Sequence, residues 1–219
     1  MKKIARYIKG FDGAPARVSY TFKTDNSKTG NMIQQWITPK DWEQSKKINQ
    51  WASETVCNNC PLIKQCYVKS GSANMGLKST SKSVNQIEGS ELDHLKKFRG
   101  RGIRFGAFGE PVLAGLEATK SLVKVARTWT GYTHQHHKLE FNWAKEYFMA
   151  SVESEKLKAE ANAKGWKTFR VGQPGDKPLP DEVMCPASAE AGKLTTCDHC
   201  GLCRGTSSKG KNVFIYEHD

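Results

Sequence analysis

The sequence predicts an α/β protein: an incomplete (β/α) barrel of parallel strands followed by a cysteine-rich, metal-binding C-terminal segment. Three observations carry that expectation. From residue 103 onward, runs rich in β-branched and aromatic residues alternate with helical stretches, the pattern of repeated βα units with parallel strands. Residues able to do chemistry recur just behind those runs, where parallel α/β sheets collect their functional groups. All seven cysteines fall into two tight groups. At 219 residues the chain is shorter than the roughly 250 of a complete eightfold barrel, so an incomplete or six-stranded one is expected.

The elements follow in order. Residues 1–55 form a basic N-terminal extension, with an alternating run Val18-Ser19-Tyr20-Thr21-Phe22 that reads as a strand. Asn31 to Thr38 is a second strand candidate, and Pro39-Lys40-Asp41 opens a helix with Trp42, Ile48 and Trp51 as its apolar positions. The barrel core is assigned to residues 56–180. It begins with the first cysteine group; residues 68 to about 90, rich in Ser, Gly, Asn and Lys, read as loop. Ile103–Phe108 is a strand. Pro111 to about Arg127 is a helix, with Pro at its first turn and a stripe of Leu113, Leu116, Leu122 and Val123. Thr128–Thr133, Tyr147–Val152 and Trp166–Val171 are the next strands. Helices over Leu139–Glu146 and Glu153–Lys164 separate them, the second capped by Gly165. Residues 181–219 carry the second cysteine group and a closing strand, Asn212–Tyr216. The whole reads as one domain.

Lys and Arg outnumber Asp and Glu by 34 to 22, a net charge of +12. The excess is uneven: residues 1–110 carry 19 basic against 9 acidic side chains, residues 111–219 carry 15 against 13. The densest basic stretch offers Lys96, Lys97, Arg99, Arg101 and Arg104 to a phosphate backbone, with Gly100 and Gly102 letting the chain follow it. A nucleic acid or nucleotide is the expected partner; a solvated basic surface is the plainer account of the same residues. No run approaches the roughly 18 apolar residues of a membrane span. The basic N-terminus lacks the apolar core of a signal peptide. A cytoplasmic protein with reduced thiols and no membrane partner is expected.

Clustered, reduced thiols read as metal ligands. Cys57, Cys60 and Cys66 offer three thiolates and leave a fourth position open. Cys185, Cys197, Cys200 and Cys203 offer four and close a site. Zinc or an iron–sulfur cluster suits either set. Glu110, His134 and Glu153 lie just behind the expected strands. Glu110 on its Gly-Glu-Pro turn can accept from a ligand amine, or act as a favourable first-turn helix charge. His134 and His137 would share a face of a helical turn, and a histidine here would complete the three-cysteine site.

Together these residues resemble a family of phage and prophage proteins of gene-product-88 type, related to the radical-SAM (β/α) barrels. The resemblance covers roughly residues 55–217. It rests on Cys-x2-Cys-Pro-x4-Cys-Tyr from Cys57, on Arg104-Phe-Gly-Ala-Phe-Gly-Glu-Pro111 and on Trp129-Thr-Gly-Tyr-Thr-His-Gln135. Met149-Ala-Ser-Val-Glu153, Gly165-Trp-Lys-Thr-Phe-Arg-Val171, Cys185-Pro-Ala-Ser and the terminal Cys-x2-Cys-x2-Cys continue it. It implies a [4Fe–4S] cluster on Cys57, Cys60 and Cys66 whose open iron binds S-adenosylmethionine. Gly109 and Glu110 would receive the methionine group, and Tyr67 would stand beside the cofactor. The C-terminal four would hold an auxiliary cluster or zinc, in a protein of the host cytoplasm. The superfamily's usual cysteine spacing is three then two residues, whereas this chain has two then five.

The function expected first is therefore an iron–sulfur, radical-SAM-like phage enzyme acting on a nucleic acid or nucleotide, with Glu110, His134 and Glu153 as catalytic candidates. A zinc-containing barrel enzyme of transglycosylase type, exchanging DNA bases through a carboxylate nucleophile, is the alternative. The third is a non-catalytic, zinc-stabilised module that binds nucleic acid or a host protein.

Overall fold

Strand β1 (Lys3–Lys9) pairs antiparallel with β2 (Pro15–Thr21), and β2 antiparallel with β3 (Ile33–Pro39). The computed structural model describes residues 3–40, 54–64, 66 and 87–217. A short strand β4 (Ile87–Gly89) lies parallel to β1 on its outer side. Helix α1 (Leu95–Phe98) then leads into β5 (Gly102–Phe108). The alternation read from the sequence follows: α2 (Leu116–Val125), β6 (Thr128–Thr130), β7 (Tyr132–Thr133), β8 (Met149–Val152), α3 (Glu155–Ala163) and β9 (Thr168–Gly172). β10 (Glu182–Met184), α4 (Cys197–Cys200) and β11 (Asn212–Tyr216) complete the chain.

The strands form two sheets, ordered β4-β1-β2-β3-β5-β6 and β10-β11-β9-β8-β7. Every ladder from β3 onward is parallel. Among the described residues no ladder joins the outer strands β4 and β10. The α/β class with parallel sheets is thus as the sequence predicts.

The expected strand over 128–133 is split at Gly131. Its N–H is donated to the Cys203 carbonyl at 3.2 Å, and its own carbonyl accepts from Met149 N at 3.0 Å. The backbone leaves one sheet and joins the other at that residue. A Cβ there would lie 2.6 Å from Phe148 Cδ1, so only glycine lets β6 and β7 pass the ring. The expected helix over 111–127 also divides: Pro111–Ala114 is a 3-10 turn, Gly115 turns with φ +82°, and α2 starts behind it. Leu139–Glu146 is 3-10 rather than α-helical. Pro39 ends β3, paired with Ala16, instead of opening a helix. The helix read from Asp41 with Trp42, Ile48 and Trp51, residue Tyr67, and the loop over 68–86 lie outside the described residues.

β3 is buried along its whole length, which places it between two layers. Its Ile33 and Ile37 are fully buried, as are Ile103 and Phe105 of β5 and Phe148; each such side chain contributes about 1.5–3 kcal/mol. The β3–β5 register shifts at Gln35. The Gln35 side chain accepts from Gly106 N at 3.2 Å and donates to Tyr20 Oη at 3.1 Å, so the irregularity leaves no polar group stranded. That kink aims the end of β5. A second apolar cluster, Met149, Phe169, Val213 and Ile215, underlies Cys185. Among the described residues no helix is long and apolar enough to cross a membrane.

Candidate metal centres

Glu110 follows β5 on a turn that only glycine permits. Gly109 has φ +76°, and a Cβ there would stand 2.5 Å from the Ile37 carbonyl oxygen. Glu110 donates its backbone N–H to the Val56 carbonyl at 2.8 Å, which ties the strand end to the residue before Cys57. Its carboxylate is 4% exposed. Oε2 accepts from Thr133 Oγ1 at 2.6 Å and Oε1 from His134 N at 3.0 Å.

The His134 ring is the hub of this end of the sheet. Nδ1 lies 3.3 Å from Glu110 Oε1 and 3.6 Å from Cys60 Sγ, while Nε2 lies 3.0 Å from Glu153 Oε1. The ends of β5, β7 and β8 therefore meet on one imidazole. The cysteine loop is fastened to the same place: Asn58 Nδ2 donates to Gln135 Oε1 at 2.6 Å. Asn58 and Asn59 both have left-handed φ, 46° and 57°. Asparagine tolerates that conformation, and two such residues in a row curl the chain tightly between Cys57 and Cys60.

Burial alone would lower the His134 pKa, but its bonds to Cys60, Glu110 and Glu153 outweigh it and hold the pKa well above the usual imidazole range. Cys57 moves the same way for other reasons. Burial first, then the charges of Glu110, Cys60 and Cys66, push its thiol well up, against one backbone bond from Gly109.

The second group is built differently. Cys185 follows β10 and donates its N–H to Phe214 O at 2.8 Å. Cys197 N and Asp198 N bond to the carbonyls of Lys28 and Thr29, at 3.0 and 3.2 Å, so the hairpin region of the N-terminal extension braces α4. Arg127 Nη2 adds an ion pair to Asp198 at 2.7 Å. All four cysteines line one pocket, closed by Thr130, Tyr132, Leu202 and Val213. Burial raises the thiols of Cys197, Cys200 and Cys203, while Arg104 and Lys28 pull Cys197 back and Arg204 pulls Cys200 back.

The remaining candidates divide. His136 packs edge-on against Trp166 with centroids 6.1 Å apart, and His137 is exposed, its Nδ1 3.1 Å from the His134 carbonyl. Only His134 of the three faces the cysteines, because the 3-10 turn over Gln135–His137 steps side chains round by a third of a circle per residue. Lys96, Lys97 and Arg99 are exposed ahead of β5, with Lys97 paired to Glu88 at 2.9 Å. Arg101 Nη2 donates to Phe22 O at 3.0 Å. Arg104, inside β5, acts on Cys197. The basic stretch is thus no single stripe. Thr133, Asn58, Gln135 and Tyr132 belong to the sites without having been singled out; the Tyr-Thr-His-Gln run behind β6 was the signal for three of them, and the Asn-Asn pair between Cys57 and Cys60 for Asn58.

The seven cysteines, all among the described residues, form no disulfide. Among the described residues no group of three or more His, Cys, Asp or Glu side chains is arranged so that it could hold a metal ion. The donor chemistry is of thiophilic type: four thiols line one pocket, and Cys60 lies against an imidazole. Both Glu110 oxygens accept bonds from the protein, and Gly109 backs onto Ile37. No protein-family model matches this chain, no curated protein matches its sequence, and no solved structure matches its fold.

Proposed function

We propose that this protein is a cysteine-ligated metalloenzyme on a partial (β/α) barrel, akin to the radical-SAM-like phage proteins, and that it acts on a nucleic acid or nucleotide. One observation carries the reading. Asn58 and Cys60 of the first cysteine group are brought to the place where three parallel strand ends set Glu110 and Glu153 against His134. Functional groups of α/β folds gather there. The four C-terminal cysteines, one buried and three half-buried, make the structural centre.

When bound at the first centre, an iron–sulfur cluster would supply electron transfer and a zinc ion Lewis acidity. The chain's own groups do the rest. Glu153 holds the proton on His134 Nε2 and can exchange it with a substrate. Glu110, itself fixed by Thr133, orients His134 through its backbone N–H. The S-adenosylmethionine implied by the resemblance is left out of this mechanism, in which Thr133 and His134 already hold the Glu110 carboxylate. The net charge of +12 supports a phosphate-bearing substrate. Lys96, Lys97 and Arg99 precede β5 and Glu110 follows it, and seven strand residues at about 3.3 Å each span about 23 Å. That separation favours a polymer over a mononucleotide.

The test is one oxygen-free preparation from cells supplied with iron and zinc. Iron, zinc and acid-labile sulfide are measured, and DNA and RNA binding is followed against salt. About two thiolate-bound centres per chain, with affinity that falls steeply with salt, is the expected result. Metal at neither centre overturns the reading.

A further inference from the structure

We propose that a basic face at the N-terminal ends of β5 and β6, built around Lys28, Arg99, Lys124 and Arg127, binds the phosphate backbone of a nucleic-acid strand without reading its bases. The inference rests on the nucleic-acid half of the reading above and names the surface that grips the polymer.

Four segments distant in sequence make the face, and a closed circuit of bonds holds them together. β5 and β6 start side by side, Gly102 opposite Thr128, so the residues ahead of both strands share one end of the sheet. Arg127 donates its N–H to the Arg101 carbonyl at 3.0 Å, and Gly100 to that of Val125 at 2.9 Å. The Arg101 guanidinium donates in turn to the carbonyls of Phe22 at 3.0 Å and Asn31 at 3.4 Å, which anchors both ends of the turn that carries Lys28. The Lys28 carbonyl accepts from Cys197 N at 3.0 Å, and Arg127 Nη1 closes the circuit on the Asp198 carbonyl at 3.2 Å. Gly102 permits that closure, because a Cβ there would collide with Asp198 Oδ1.

Charge follows the packing. Residues 23–31, 96–104, 124–127 and 196–204 hold ten Lys and Arg against two Asp, which is +8 of the chain's +12. Of the two acids, Asp198 is 8% exposed and paired with Arg127, and Asp25 is exposed in the Lys28 turn. Arg101 is committed to carbonyls and Arg204 lies over the Trp129 ring at 5.5 Å, so these two build the surface. Arg99 and Lys124 are exposed, Lys28 is half-buried, and Arg127 keeps half of its side chain in water while bound to Asp198. Cations of one sign spread over separate elements match a repeating line of phosphates better than one small anion. Contacts of this kind position a strand and carry no sequence information. The face lies at the opposite end of β5 from Glu110, so its loss weakens binding without disturbing the strand-end site.

The experiment uses the full chain and labelled single-stranded DNA and RNA oligonucleotides of unrelated sequence, with affinity measured against salt. The triple variant Lys28→Ala/Arg99→Ala/Lys124→Ala should bind at least about tenfold more weakly, alike for every sequence, and should flatten the slope of log affinity against log salt by about 2. A control triple at exposed lysines elsewhere, Lys156→Ala/Lys164→Ala/Lys177→Ala, removes the same charge and should leave the slope within about 0.5 of wild type. Should the first triple fail to fold by its urea midpoint, Arg99→Glu/Lys124→Glu, at exposed sites alone, carries the same expectation. Equal losses in the two triples would overturn this surface while leaving the nucleic-acid reading standing. Poly-glutamate competing as strongly as the oligonucleotide would overturn it in favour of an acidic protein partner. Wild type that binds neither DNA nor RNA would overturn the surface and the nucleic-acid reading together.

Discussion

The two cysteine groups use the same residue at the same Cys-x2-Cys spacing, yet their surroundings differ in kind. The C-terminal four are packed between strands and knit distant segments together: the Lys28–Thr29 carbonyls, the β6–β7 junction at Gly131 and β11 all touch that segment. Their neighbours include Tyr132, Leu202 and Val213, and the charges of Arg104, Lys28 and Arg204 act on the thiols from outside. The N-terminal three lie on one short loop whose neighbours are Glu110, His134 and Glu153. A thiolate set closed by apolar packing stabilises a fold; one ringed by an imidazole and carboxylates is arranged for proton chemistry. Environment, more than ligand spacing, separates the two cysteine groups.

The sharpest way to break that comparison is to remove one thiol from each. Cys203→Ser should unfold residues 181–217 or cost several kcal/mol, since structural zinc contributes on the order of 10 kcal/mol to small metal-bound folds. Cys60→Ser should release the other metal and shift stability by only about 1–2 kcal/mol. Equal losses in thermal unfolding would erase the distinction.

Carboxylates offer the next contrast. Glu182 is fully buried and pairs with Arg170 at 2.7 and 2.9 Å, and Arg170 lies over the Phe214 ring at 4.4 Å. Glu182→Gln strands a buried guanidinium and should cost about 3–5 kcal/mol. Glu110→Gln removes hydrogen bonds from a neighbourhood with other polar groups and should cost about 1–3 kcal/mol. Urea denaturation of both variants ranks them; a reversed order would make Glu110 the structural carboxylate.

The smallest effect concerns acid. Lys158 bonds to Asp181 at 2.7 Å and holds its carboxyl below the usual range. A depressed folded pKa gives stabilisation that is complete above the unfolded value of about 3.9 and is lost as pH falls through the folded one. Asp181→Asn should therefore flatten the urea midpoint between about pH 2 and pH 4 by a small margin, because Asp181 is half exposed. An unaltered acid limb would assign that region's acid response to other carboxylates.

Much of this was legible beforehand, and the failures are instructive. Strands over 103–108 and 212–216 were readable because buried parallel strands are apolar runs bounded by turn residues. Strand β1 was not: Lys3, Arg6 and Lys9 hide it, and Arg6 is accommodated through Glu91 at 2.7 Å and the Ala114 carbonyl, both far away in sequence. The basic stretch looked continuous, yet Arg104 turns to the four-cysteine site while Lys96, Lys97 and Arg99 stay outside.

From its sequence alone this protein's two thiol groups, its parallel βα alternation and the clustering of Glu110, His134 and Glu153 behind strands were determined, because spacing, periodicity and turn chemistry are local properties. Only the tertiary structure decided that one histidine of three faces Cys60, that Glu110 spends its oxygens on Thr133 and His134, and that Gly131 passes the chain between sheets. Those outcomes depend on which side chains packing brings together across dozens of residues, and no local preference encodes that.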